Sequence, residues 1–208
     1  MTTVTLYDYW RSSASYRVRI ALNLAGIPYT AVSVNLIERD HKSPEHLDRN
    51  PQGLVPVLDI DGQRFTQSLA ILEYLNDNRY LELLPHAPIE KAKHRALAQS
   101  IAVDVHPVCN LSVMQYATDN GAHTREGWIK RFMGPGLEAF EALLASFPTT
   151  SFCDGDQPKL ADICLMPQLY NADRWGVSYA HCPRIVAIKA ACDAHPAFQA
   201  AHPDAVKP

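Results

Sequence analysis

No long run of lysine or arginine occurs among the 208 residues, and the formal net charge is −3. A basic footprint for nucleic-acid phosphates is therefore missing. No apolar stretch approaches the roughly 20 residues needed to cross a bilayer. The first residues read as a strand, with no charged region leading into an apolar block, so no secretory leader is expected. Cysteine occurs five times (109, 153, 164, 182, 192), never as a CxxC pair and never at a metal-ligand spacing. An odd set of this kind reads as reduced, small packing residues in a cytoplasmic protein, with no metal expected. Internal repeats and low-complexity tracts are absent too.

What is present changes character near residue 85. The length suits one large domain or two small ones and allows a real core. Before the change, short apolar runs alternate with helical patterns. The spacing predicts a strand over 3–7, a helix over 12–25 closed by Gly26, and a strand over 29–34. A polar stretch with His41 and Lys42 leads to a short helix at Ser43-Pro44. Residues 55–60 read as a strand, turned at Asp61-Gly62 into another over 63–66, and a helix follows over 68–78. Beyond Leu84-Pro85-His86-Ala87-Pro88 everything reads as helix: 89–117 kinked at Pro107, then 124–146, 160–171 and a last helix near 183–193. The parse is βαβ and ββα over residues 1–83, then an all-helical domain over 88–208.

Three places in the first domain carry chemistry. Arg11-Ser12-Ser13 opens a helix directly after a strand, where unpaired N–H groups and the helix dipole favour an anion. A hydroxyl there can donate to a thiolate or an oxyanion, and any thiol must come from elsewhere. Pro56 interrupts an apolar strand. It is either a trans proline at the strand's first residue, or part of a cis Val55–Pro56 bond that turns the Val55 backbone toward a peptide-like ligand. Ser68, after Gln67, is either a plain helix cap or a second anion site for a carboxylate.

Taken together these segments resemble the zeta-class glutathione S-transferases, the family of maleylacetoacetate and maleylpyruvate isomerases. The resemblance covers the whole chain. Its most specific element is Ser12-Ser13-Ala14-Ser15-Tyr16-Arg17-Val18-Arg19-Ile20-Ala21-Leu22. Support comes from Asn50-Pro51-Gln52-Gly53-Leu54-Val55-Pro56, Gln67-Ser68-Leu69-Ala70-Ile71, His106-Pro107 with Asn110, and Pro167-Gln168 with Asn171-Ala172-Asp173-Arg174. The implied fold is an α/β thioredoxin-like N-terminal domain plus an all-α C-terminal domain, the glutathione S-transferase fold. The implied cofactor is glutathione and the implied assembly a homodimer.

The resemblance also assigns roles. Val55 pairs with the cysteinyl backbone of glutathione, Gln67 and Ser68 hold its γ-glutamyl carboxylate and amine, and His41 or Lys42 approaches the glycyl end. The implied reaction is cis–trans isomerisation of a maleyl keto acid in aromatic compound degradation. Addition of the glutathione thiolate turns the double bond single, and loss of the thiolate after rotation returns the fumaryl isomer. Ser12, with Ser13 as alternative, is expected to favour thiolate over a thiol of ordinary pKa about 8.5. Arg11 and Arg174 match positions that the family places at its active site, and are expected at the carboxylates of the dianion. His106 and Asn110, read as neighbours on one helix face, either hydrogen-bond glutathione or the enolate, or are packing residues. Arg17 and Arg19 read as surface or salt-bridge residues, and the remaining histidines as solvated. The same thiolate acting on halogenated acids or hydroperoxides is the alternative function.

Two letters depart from the family pattern. Ala14 stands where relatives often carry cysteine, which leaves the chemistry to the hydroxyls. Lys159 stands where a capping hydroxyl is usual, at an expected cost of about 1 kcal/mol unless Asp162 is satisfied otherwise.

Overall fold

The computed structural model describes residues 3–78 and 81–208. Strands β1 (Thr5–Asp8), β2 (Thr30–Ser33), β3 (Val57–Ile60) and β4 (Gln63–Thr66) form one sheet in the order β2-β1-β3-β4. β1 runs parallel to β2 and antiparallel to β3, which runs antiparallel to β4. Between β1 and β2 lies α1 (Ser13–Leu24); after β2 comes α2 (Pro44–Arg49), and after β4 comes α3 (Ser68–Asp77). This is the predicted βαβ and ββα order.

α1 begins at Ser12, whose side chain accepts the Ser15 N–H, and stops at Gly26, where φ is +63° and Ile27 N–H returns to Leu22 O at 2.9 Å. Its Val18, Ile20 and Leu22 are fully buried. Each such side chain contributes roughly 1.5–3 kcal/mol. Leu6, Leu58, Ile71 and Leu75 complete the core beside the sheet.

The second compact unit, Leu84–Ala194, is helical. α4 (Pro88–Gln99) runs into a π-helical segment, Ser100–Val105, and the chain restarts as α5 (Leu111–Thr118). The expected kink at Pro107 is thus a full break. His106 N–H still reaches back five residues to Ile101 O at 2.9 Å, but proline has no N–H to continue the ladder. α6 (Arg125–Leu144) follows, with Gly136 against the π segment: a Cβ there would run into Val105 Cγ2. α7 (Leu160–Trp175) and α8 (Pro183–Ala194) complete the unit. At the start of α7, Asp162 accepts Lys159 N–H and Cys153 N–H, both at 2.8 Å. The Asp162 carboxylate is thus satisfied by two backbone donors although Lys159 supplies no capping hydroxyl.

The chain then returns to the first unit, a feature the sequence reading placed with the helices. α9 (Pro196–Ala201) and the following turn belong with Met1–Leu83. Asn23 Nδ2 donates to Ala197 O at 3.2 Å, Arg19 Nε donates to Ala201 O at 3.0 Å, and Phe198 is buried. A six-residue helix with a proline at its start leaves too short a period to reveal which core it joins. Among the described residues, no helix is long and apolar enough to cross a membrane.

Candidate functional site

Sheet register gathers the candidate residues of the first unit. Tyr7 pairs with Val57, and Val57 with Thr66, so these three lie in one row across β1, β3 and β4. The end of β1 leading to Ser12, the Val55–Pro56 entry to β3 and the exit of β4 into Gln67-Ser68 therefore share one end of the sheet. Neighbouring strands lie about 4.8 Å apart, so the row spans about 10 Å, the reach of an extended tripeptide.

At the first place, the Ser12 hydroxyl accepts Ser15 N–H at 3.2 Å and keeps its own proton to donate. Ser13 occupies the first helical position, and the first turn carries no acidic side chain to offset the positive end of the helix. The preceding loop is held by Arg19, which is 1% exposed. Its Nη1 donates to both Asp8 carboxylate oxygens at 2.7 and 2.9 Å, and its Nη2 to Trp10 O at 2.8 Å. Arg19 is thus the salt-bridge residue expected, but a buried one. Arg11 lies over the Trp10 ring, 5.2 Å from its centroid, and Lys207 over the same ring at 5.4 Å.

At the second place, the Val55–Pro56 bond is cis. No backbone hydrogen bond engages the Val55 N–H or C=O among the described residues, so both are open to a peptide-like partner. The loop before it is pinned from beneath. Leu54 O accepts from Asn50 Nδ2 at 2.9 Å and from His46 Nε2 at 3.0 Å. A carbonyl only accepts, so the His46 proton sits on Nε2. Lys42 Nζ reaches Gln52 O and Gly53 O, each at 3.4 Å. Gly53 has φ +61°, and a Cβ would come within 2.8 Å of His41 O, so only glycine fits. His41 Nδ1 is buried without a hydrogen-bond partner among the described residues, and burial, then Lys42, lowers the imidazole pKa.

At the third place, Gln67 adopts φ +65° and serves as the cap, while Ser68 is the first residue of α3. The expected serine cap has thus moved by one residue. Gln67 Nε2 donates to Gln52 Oε1 at 2.8 Å, tying this place to the second. Ser68 Oγ accepts from Arg17 Nη1 at 3.2 Å, and Arg17 is 2% exposed. That corrects the surface reading of Arg17.

The helical unit carries the other candidates. His106 and Asn110 lie in the turn between the π segment and α5, so they do not share a helix face. Trp128 Nε1 fixes that turn by donating to Val108 O at 2.9 Å, and Asn110 is the cap residue of α5. Arg174 is exposed near the end of α7, donating to Asn171 Oδ1 at 3.3 Å and lying over Tyr170. Among the described residues, no group of three or more His, Cys, Asp or Glu is placed to hold a metal.

The glutathione S-transferase N-terminal domain family matches residues 2–77. Maleylacetoacetate isomerase of Rhizobium meliloti strain 1021 is 58% identical over 98% of this chain and 97% of its own length. A solved holo structure of a maleylpyruvate isomerase, a bacterial zeta-class glutathione S-transferase, superposes with a TM-score of 0.93 at 38% identity, over 98% of both chains. A Methylobacterium extorquens AM1 maleylacetoacetate isomerase with bound malonate and glutathione superposes with a TM-score of 0.89 at 39% identity, over 97% of both chains. The chain belongs to the zeta-class glutathione S-transferases.

Membership gives meaning to residues that sequence reasoning passed over. His46, grouped with the solvated histidines, is 1% exposed and holds the loop that carries Val55 in this transferase fold. His94, grouped likewise, is 3% exposed and pairs with Asp154 at 3.1 Å. The only signal for His46 was its place four residues before Asn50, one helical turn that lets both donate to a single carbonyl.

Proposed function

We propose that this chain catalyses glutathione-dependent cis–trans isomerisation of a maleyl keto acid, maleylacetoacetate or maleylpyruvate, in aromatic compound degradation. The observation that carries the reading is the row Tyr7–Val57–Thr66, itself about as wide as an extended tripeptide is long, at whose end of the sheet the chain carries Ser12, Val55 and Gln67-Ser68. The residues fit glutathione. The open Val55 N–H and C=O suit a peptide backbone, and the start of α3 with Ser68 suits the γ-glutamyl carboxylate.

Bound glutathione supplies the thiolate that adds reversibly to the double bond. Ser12 donates its hydroxyl proton to that sulfur, with the helix end adding positive potential, and so favours the anion at neutral pH. Ser13, at the next position, is the alternative donor. His41 contributes at the glycyl end. Arg11 and Arg174 are assigned to the substrate carboxylates, and His106 and Asn110 to the cofactor or the developing oxyanion. Residues 1–83 together with 195–208 form the glutathione-binding unit and 84–194 the substrate unit of a cytoplasmic homodimer.

The test is glutathione-dependent loss of maleylacetoacetate or maleylpyruvate absorbance. Turnover of at least one is expected. No turnover of either, alongside conjugation of a chlorinated acid, would move the reading to the alternative transferase. Arg174→Ala is expected to raise KM for the dianion, and an unchanged KM would remove Arg174 from the carboxylate site.

A further inference from the structure

Arg17 and Arg19 stand two residues apart on α1, about 200° around the helix, and meet different environments. Arg19 is neutralised by Asp8 at 2.7 Å. Arg17 turns to α3, where its Nη1 donates to Ser68 Oγ across 3.2 Å, with the two residues 2% and 6% exposed. Desolvating a guanidinium is costly, and it stays charged at every accessible pH. Its nitrogens only donate, so the Ser68 oxygen must accept. A hydroxyl has one proton and two lone pairs; with Arg17 behind it, the Ser68 proton is left to be given away from Arg17. The buried positive charge strengthens that donation and repels an ammonium.

We propose that Arg17 is a positioning residue that fixes the Ser68 hydroxyl as a donor, and so makes this place select the α-carboxylate of the γ-glutamyl group over its ammonium. The inference rests on the glutathione reading above, which already gives Ser68 the carboxylate, and adds the buried residue that fixes the hydroxyl for it. Arg17 acts through Ser68 and does not touch the ligand.

Calorimetric titration tests it with two ligands: glutathione, and its decarboxylated analogue 4-aminobutyryl-cysteinyl-glycine, which lacks the α-carboxylate and keeps the amine. Arg17→Gln is expected to weaken glutathione about tenfold and the analogue less than about twofold, the size of one charge-assisted hydrogen bond. Ser68→Ala is expected to show the same selective loss, and the double variant to fall within about twofold of Ser68→Ala alone. Arg17→Lys, which keeps the charge and serves if the glutamine variant does not fold, is expected to show a selective loss of about threefold. Equal weakening of both ligands, or losses that multiply in the double variant, would overturn the positioning role. Wild-type protein that binds neither ligand would overturn the glutathione reading itself, a distinct result.

Discussion

In the sheet-containing unit, the buried polar side chains of His46, Asn50 and Arg17 all end on atoms at one end of the sheet: Leu54 O and Ser68 Oγ. In the helical unit, the fully buried Asp162 ends on the backbone that starts α7, accepting Lys159 and Cys153 N–H. Both arrangements desolvate polar groups and hydrogen-bond them, His46 through Nε2 alone. The difference lies in what is held. The first set fixes backbone and hydroxyls that remain open to a ligand, whereas Asp162 closes off donors that would otherwise be orphaned. Burial of a charge is therefore no guide to function here; the guide is whether the loop or hydroxyl it holds still presents a hydrogen-bonding group, such as the Val55 backbone or the Ser68 proton, to a ligand.

The largest effect that sharpens this contrast is expected at Asp162. Asp162→Ala leaves two backbone donors unpaired and is expected to cost about 3–5 kcal/mol in urea unfolding. Activity per folded molecule should be unchanged; a loss of turnover in the folded fraction would erase the distinction between the units. Burial also pushes the Asp162 carboxyl from its ordinary 3.8 up to about 6. A carboxyl raised in the folded state holds a proton there that the unfolded chain releases, so stability falls as pH rises from about 4 to about 6. Asp162→Asn is expected to remove that part of the slope in unfolding measured across this range.

Next in size is Ser12→Ala. Loss of one donor at a developing or resident anion is expected to lower kcat about a hundredfold while glutathione affinity stays within about threefold. Equal losses in both would reduce Ser12 to a binding residue. Asn50→Ala acts more weakly and in the opposite sense. It removes one of two donors to Leu54 O and the acceptor of Gln52 N–H, so KM for glutathione should rise about fivefold to tenfold with kcat nearly constant. A fall in kcat without a change in KM would detach that loop from the cofactor. The smallest effect is expected for Ala14→Cys, where kcat should stay within about twofold, because the hydroxyls already carry the role.

Much of the first unit was legible because its signals are local. Ser12 as a cap, Gly26 as a stop, the Asp61-Gly62 turn and the proline inside an apolar run each constrain the backbone within a few residues. Their convergence needed only strand direction, which the hairpin and the crossover supply. Arg17, Arg19 and His46 were misread or only half read because their burial is created by partners 51, 182 and 8 residues away, where no period reports it. The break at Pro107 escaped for a related reason. The pattern over 89–117 is helical throughout, and the π segment that ends it packs against Gly136, a contact outside the window. α9 was missed because six residues are too few for a period to show.

The central claim, that the Ser12 hydroxyl favours the thiolate of bound glutathione, is tested most directly by ultraviolet titration of the thiolate in the wild-type and Ser12→Ala complexes. The wild-type complex should ionise well below the ordinary thiol value of about 8.5, and Ser12→Ala should raise that pKa by about one unit. Identical pKa values in the two complexes, or a wild-type value at or above the ordinary one, would contradict the account.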